Sequence, residues 1–153
     1  MLRVTNQYFW NFVFLVFFVI LLVMGTIILD TEARVKFTEL SVTDYVLLVL
    51  ATWQLTQFLA YAEATRFIRE QFLEVKKAGR GFQLMKPKTG PRRTISDFFD
   101  SSLYLALWLG ATLTFFYLLT KFMVFAVVVL AIAGAVNLVT SIALFSSYRD
   151  NVK

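Results

Sequence analysis

Residues 51–65 read ATWQLTQFLAYAEAT, an otherwise apolar stretch carrying two glutamines, three threonines and one glutamate. What those polar groups face decides the fold. On a helical wheel at about 100° per residue, Thr43, Gln54, Gln57, Tyr61 and Thr65 fall on one face, and Thr52, Thr56 and Glu63 on the opposite one. A helix polar on both sides cannot have hydrocarbon on both sides, because each amide left without a partner there costs a few kcal/mol. Residues 43–64 are therefore predicted to form a central span with protein against two of its faces.

The rest of the chain supplies the surroundings for such a span. Hydrophobic residues make up 59% of the 153 and the mean hydropathy is +0.70, whereas a soluble domain is about 45–50% apolar. The excess lies in four runs, residues 8–29, 43–64, 98–119 and 122–145, each reaching the ~20 residues a helix needs to cross a bilayer. The pattern predicts an all-α integral membrane protein with four transmembrane helices in a single transmembrane domain over residues 1–153. The first run is too long for a signal-peptide core and has no A-x-A-like site after it, so it is predicted to be a retained anchor. Its residues 12–24 are apolar on every face and suit lipid. Thr120-Lys121 offers no Gly or Pro to break the last two runs apart. A continuous helix over 98–145 would nevertheless be about 72 Å long, too long for one crossing, so a hairpin is expected there.

Basic residues orient the spans. With both termini inside, twelve Lys and Arg lie on the cytoplasmic side and three on the other; nine of the twelve fall in the loop 65–97. The positive-inside rule then predicts an N-in, C-in topology. Within the loop, Ile68, Phe72 and Val75 recur at i, i+4 and i+7, which predicts an amphipathic cytoplasmic helix over 65–78 following span two. Residues 79–93, GRGFQLMKPKTGPRR, read as an irregular basic loop. Over 65–96 basic residues exceed acidic ones by seven. Lys76, Lys77, Arg80, Lys86, Lys88, Arg92 and Arg93 are thus candidates for contact with anionic phospholipids or an acidic partner. No nucleic-acid recognition module accompanies them. Ser41-x-x-Asp44 and Thr94-x-x-Asp97 match helix-capping patterns ahead of apolar runs.

Partners for the polar span are expected in the last two runs. Ser102, Ala106, Gly110 and Thr114 repeat every four residues, a small-xxx-small ladder that permits close helix approach. Ala126, Ala133, Gly134, Asn137, Thr140 and Ser141 share a face of the fourth run. We expect Gln54 or Gln57 to hydrogen-bond Asn137 across such a contact.

Three stretches carry a resemblance. Ala51-Thr52-Trp53-Gln54-Leu55-Thr56-Gln57-Phe58 is similar to an A-T-F-R-L-T-R-L segment, Ile68-Arg69-Glu70-Gln71-Phe72 to an I-R-E-x-F stretch, and residues 101–108 to a C-P-x-C-L-x-x-W pattern. Together, over roughly residues 45–118, they resemble a family of small bacterial integral membrane proteins of unknown function, some of them sporulation-associated. That family's cysteines fall on Ser101 and Tyr104 and its arginines on Gln54 and Gln57, so no thiol or metal role is carried over. The resemblance implies packed spans and a bacterial inner (cytoplasmic) membrane; the charge bias alone would also suit the inner membrane of an organelle.

Histidine and cysteine are both absent. This excludes disulfides, thiolate nucleophiles and Cys or His metal sites, and removes the usual general base near neutral pH. No cofactor site, nucleophile–base pair or phosphate loop is legible. Asp44, Glu63, Asp97 and Asp100 map near the interfaces, so the mid-membrane carboxylate of an ion-coupled carrier is missing. The expected function is that of a non-catalytic accessory or scaffold subunit associated with other membrane subunits. The alternative is a small homo-oligomeric channel or transporter lined by the polar face of span two. The topology itself is testable: cysteines introduced at Lys36 and Lys88 are expected to label from opposite sides of the membrane, and labelling of both from one side contradicts it.

Overall fold

A computed structural model describes residues 2–78 and 81–150. The chain is mostly helical: α1 (Leu2–Glu32), α2 (Val42–Tyr61), α3 (Arg66–Glu70), a hairpin of β1 (Glu74–Ala78) and β2 (Gly81–Met85), α4 (Pro91–Asp100), α5 (Ser102–Leu119) and α6 (Lys121–Asp150). Short 3-10 turns precede α2 and α3. Three helical segments are long and apolar enough to cross a membrane: Asn6–Glu32, Ser102–Leu119 and Lys121–Ser146. A fourth is obtained if α2 and Glu63–Glu70, bent by 67° at their junction, count as one span. Packing divides the chain into two compact units, one of residues 1–27 and 56–108, the other of residues 28–55 and 109–153.

The second unit holds the larger apolar core. Leu48 and Ala51 of α2, Leu113, Tyr117 and Leu118 of α5, and Val127 and Ala131 of α6 form one buried cluster. Only Thr120 separates α5 from α6, and both helices feed this cluster, as a helical hairpin requires. The break needs no glycine: Thr120 N–H and Oγ1 both donate to Phe116 O, at 2.9 and 3.0 Å, closing the last turn of α5. The carbonyl of Leu118 is taken up from outside the helix by the N–H groups of Arg34 and Val35, at 3.0 and 3.4 Å. At the start of α2, Ser41 and Asp44 cap each other: Asp44 N–H donates to Ser41 Oγ at 3.2 Å and Ser41 N–H to Asp44 Oδ2 at 2.9 Å.

The first unit departs from the sequence reading in three places. Residues 65–78 are not a helical extension of α2. The chain turns at Ala62, whose backbone is extended, and helix resumes only over Arg66–Glu70 before the β-hairpin begins. The bend is held by side chains that satisfy the open carbonyls of α2. Thr65 Oγ1 lies within hydrogen-bonding distance of the carbonyls of Phe58, Leu59 and Ala62, while Arg69 Nη1 donates to Leu59 O at 2.7 Å and to Thr65 Oγ1 at 2.9 Å. The strands pair antiparallel from Glu74 opposite Met85 to Ala78 opposite Gly81. The apolar stripe read at helical spacing is split between elements: Phe72 stacks on Phe99 with ring centroids 5.8 Å apart, and Val75 lies on β1.

The second departure is that residues 79–93 are not irregular throughout: β2 occupies Gly81–Met85, and α4 begins at Pro91. Gly90 precedes it at φ 102°, ψ 178°, a region essentially restricted to glycine, and Pro91 supplies the φ suited to a first helical position. The third concerns residues 94–100. Thr94 does not cap a helix there, because α4 has already started; the apolar run is instead broken at Ser101, whose extended backbone separates α4 from α5. Ser101 O accepts the first bond of α5 from Leu105 N at 3.0 Å, a cap position that serine favours.

Gly90 yields a specific expectation. A Cβ there would meet no atom within 4 Å, so any effect of Gly90→Ala comes from backbone conformation alone. Unfolding in detergent should show destabilisation of about 1–3 kcal/mol; unchanged stability would place Gly90 outside that conformation.

Candidate functional site

Of the polar face of α2 that the sequence singles out, Gln54 meets α6 in the second unit. At Gly134 an added Cβ would lie 2.5 Å from Leu50 O and 3.3 Å from Gln54 Cβ, so only glycine permits this approach without displacement of backbone. Leu50 and Gln54 are one turn apart, as are Gly134 and Asn137, which places each pair on one helix surface. Across the contact Asn137 Nδ2 donates to Gln54 Oε1 at 3.2 Å, with both side chains half-buried. The neighbouring hydroxyls of α6 turn to their own helix: Ser141 Oγ donates to Asn137 O at 2.8 Å, and Thr140 Oγ1 to Val136 O at 2.9 Å.

Another side of α2 meets α5. A Cβ at Gly110 would lie 3.4 Å from Thr52 Cγ2 and 3.6 Å from its Oγ1, ordinary van der Waals contact with a side chain instead of backbone. Nearer the start of α2, Tyr117 OH donates to Asp44 Oδ1 at 2.6 Å. Asp44 thus joins its capping serine to α5.

Gln57 is half-buried and belongs to the first unit; of the two glutamines, Gln54 is the one bonded to Asn137. Ser102 is exposed at the start of α5, while Ala106 and Thr114 are half-buried. Gly110, in the same ladder, faces Thr52 of α2. Lys86 and Arg93 are engaged within the chain: Arg93 Nε donates to Asp97 Oδ2 at 2.8 Å, and Lys86 Nζ contacts Asp97 Oδ1 at 3.2 Å and also pairs with Asp100. Asp100 first, then Asp97, hold the Lys86 ammonium charged beyond the usual lysine range against the opposing effect of burial. With the pKa raised, this contact persists through neutral pH and is lost only as pH rises above the ordinary lysine value of about 10.4. Lys88 and Arg92 are exposed. Arg80 lies outside the described residues, as do the side chains of Lys76 and Lys77.

Sequence reasoning missed a polar cluster in the first unit. Gln7 Nε2 donates to Asn11 Oδ1 at 3.0 Å and to Thr94 Oγ1 at 2.8 Å, and Thr94 Oγ1 donates to Asn11 Oδ1 at 3.0 Å. The available signal was Asn11, a lone amide at the edge of the most apolar run, four residues from Gln7. Gln7 Oε1 is buried without a partner in the described structure.

Residues 47–143 match the family described as "Protein of unknown function (DUF1360)". The chain belongs to that family. The match takes in both partners of the Gln54–Asn137 bond, extends beyond the segment whose motifs carry the resemblance, and leaves α1 outside. No curated protein and no solved structure is matched.

The two glycines are expected to separate cleanly. Gly134→Ala forces a methyl against a carbonyl and should destabilise the chain by about 1–3 kcal/mol, the range for overpacking. Gly110→Ala meets only a side chain at ordinary distance and should be neutral, or stabilising by up to ~1 kcal/mol through helix propensity. Equal effects in a detergent unfolding assay would contradict the packing described.

Proposed function

We propose that this chain is a non-catalytic integral membrane subunit, an accessory or scaffold element of a larger membrane assembly. The observation that carries the reading is the closed contact of α2 with α6: the Gln54 amide is used by Asn137, beside an approach that excludes even a methyl group at Gly134. Polar groups spent in this way hold helices in register, and interhelical bonds of this type contribute roughly 0.6 kcal/mol on average. That use supports helix packing over an aqueous path. Apolar side chains, meanwhile, are directed outward. Along α1 most large hydrophobic residues from Tyr8 to Ile28 are exposed, and α6 exposes Phe125, Ile132, Val136 and Val139. Surface of this kind suits lipid or the spans of partner subunits.

In this reading four spans cross the membrane, with α2 as the second and its bent continuation at the cytoplasmic end. Both termini and the basic residues 65–97 lie on the cytoplasmic side of a bacterial inner membrane, where Lys88 and Arg92 are free to meet anionic headgroups or an acidic partner surface.

A double-mutant cycle with a transport assay tests the proposal. Gln54→Leu leaves Asn137 without its partner and should destabilise by about 1–3 kcal/mol. Adding Asn137→Leu should recover part of that loss, because neither amide is then stranded. The same proteins in liposomes should show no conductance before or after substitution. Conductance in the unmodified chain, abolished by either change with stability intact, overturns the scaffold reading in favour of a channel.

A further inference from the structure

In the first unit, α1, α4 and α5 enclose a cavity of about 600 Å³, within the range of sites that hold small ligands. Its walls are apolar: Leu15 and Phe18 of α1, Phe98 of α4, and Leu103, Leu107 and Trp108 of α5. Trp108 is fixed against Phe18 and Phe98, with ring centroids 4.7 and 5.8 Å apart. Polar lining comes from Asn11, Thr94 and Asp97, and the Asn11–Thr94 hydrogen bond joins two of these. Asn11 and Phe18 are seven residues apart on α1, so the cavity runs about 10 Å from amide to aromatic end. Leu15 and Leu103 are exposed as well as lining it, which leaves it open sideways to whatever surrounds the helices.

The polar end continues into a cluster of alternating charge. Asp97 is bonded to Arg93 and Lys86, and Lys86 is also paired with Asp100. All four side chains keep about a third or more of their surface accessible. Two cations and two carboxylates, with no net charge, complement a headgroup that itself carries both signs. Each carboxylate oxygen has lone pairs beyond the single bond it accepts here, so it takes an ammonium N–H in addition. Gln7, hydrogen-bonded to both Thr94 and Asn11, holds these two lining groups in place.

We propose that this cavity holds one acyl chain of a phospholipid with a zwitterionic, ethanolamine-type headgroup. The chain lies against Leu15, Phe18 and Trp108. The ammonium is accepted by Asp97 or Asp100, and the phosphate is met by Lys86 and Arg93 in exchange for part of their present pairing. A primary ammonium suits carboxylate acceptors because it donates N–H bonds, which a quaternary ammonium does not. This occupant rests on the membrane reading above and differs from a diffuse attraction of the basic loop for anionic lipid.

Native mass spectrometry of the full chain, released from nanodiscs of equimolar phosphatidylethanolamine, phosphatidylcholine and phosphatidylglycerol, tests it. One phosphatidylethanolamine should be retained in preference to the other two. Asp97→Asn should lower that preference about tenfold, the loss of one charge-assisted hydrogen bond. Leu15→Trp, which fills the cavity from an exposed position, should lower retention of all three lipids. Equal retention of the three lipids by the unmodified chain overturns the site, and preference for phosphatidylglycerol overturns the zwitterionic occupant. Preference unchanged by both variants places it elsewhere. Each of these failures leaves the membrane reading standing if the chain still sediments with membranes and requires detergent for extraction.

Discussion

The packing of the second unit depends on a missing methyl group. Because Gly134 has no Cβ, the backbone of α6 reaches the carbonyl of Leu50, and Asn137, one turn further on, comes within 3.2 Å of Gln54. Neither feature suffices alone. Two amides on separate helices find each other only if the backbones are close, and close backbones gain register only if a directional bond selects one alignment. Val127 and Ala131, on the preceding turns of α6, are carried by the same approach into the core with Leu48 and Ala51.

Three of the four apolar runs were legible because length and hydropathy suffice to mark a helix that lipid can surround. The α2–α6 contact was legible because strongly polar residues within apolar runs are few, so Asn137 had few possible partners. The region between α2 and α5 was less legible, for local reasons. Ile68, Phe72 and Val75 fit helical spacing, but three residues do not distinguish a helix from a turn followed by a strand. Gly79-Arg80-Gly81 marks the connection between two short runs better than it marks a helix end. The bend after Tyr61 has no Gly or Pro to announce it. It is made by Thr65 and Arg69 competing for carbonyls of α2, an interaction that becomes visible only once the chain has turned.

The charged residues show the same limit. Counting Lys and Arg treats each as a free cation, yet Lys86 and Arg93 are bound to Asp97 and Asp100 on α4. Among the described residues, paired cations and the exposed Lys88 and Arg92 therefore stand side by side. Family membership extends over α2 to α6 without supplying an activity, so the functional reading rests on how polar groups are used: paired between helices in the second unit, and gathered beside an apolar cavity in the first.

The direct test of the central claim is a solid-state NMR distance in lipid bilayers. With Gln54 labelled at its side-chain carbonyl carbon and Asn137 at Nδ2, the account predicts a ¹³C–¹⁵N cross-peak from directly hydrogen-bonded amides, and weak magnetisation transfer to Gln54 from bulk water. A missing cross-peak together with strong transfer from water would contradict it, because Gln54 would then face solvent instead of α6.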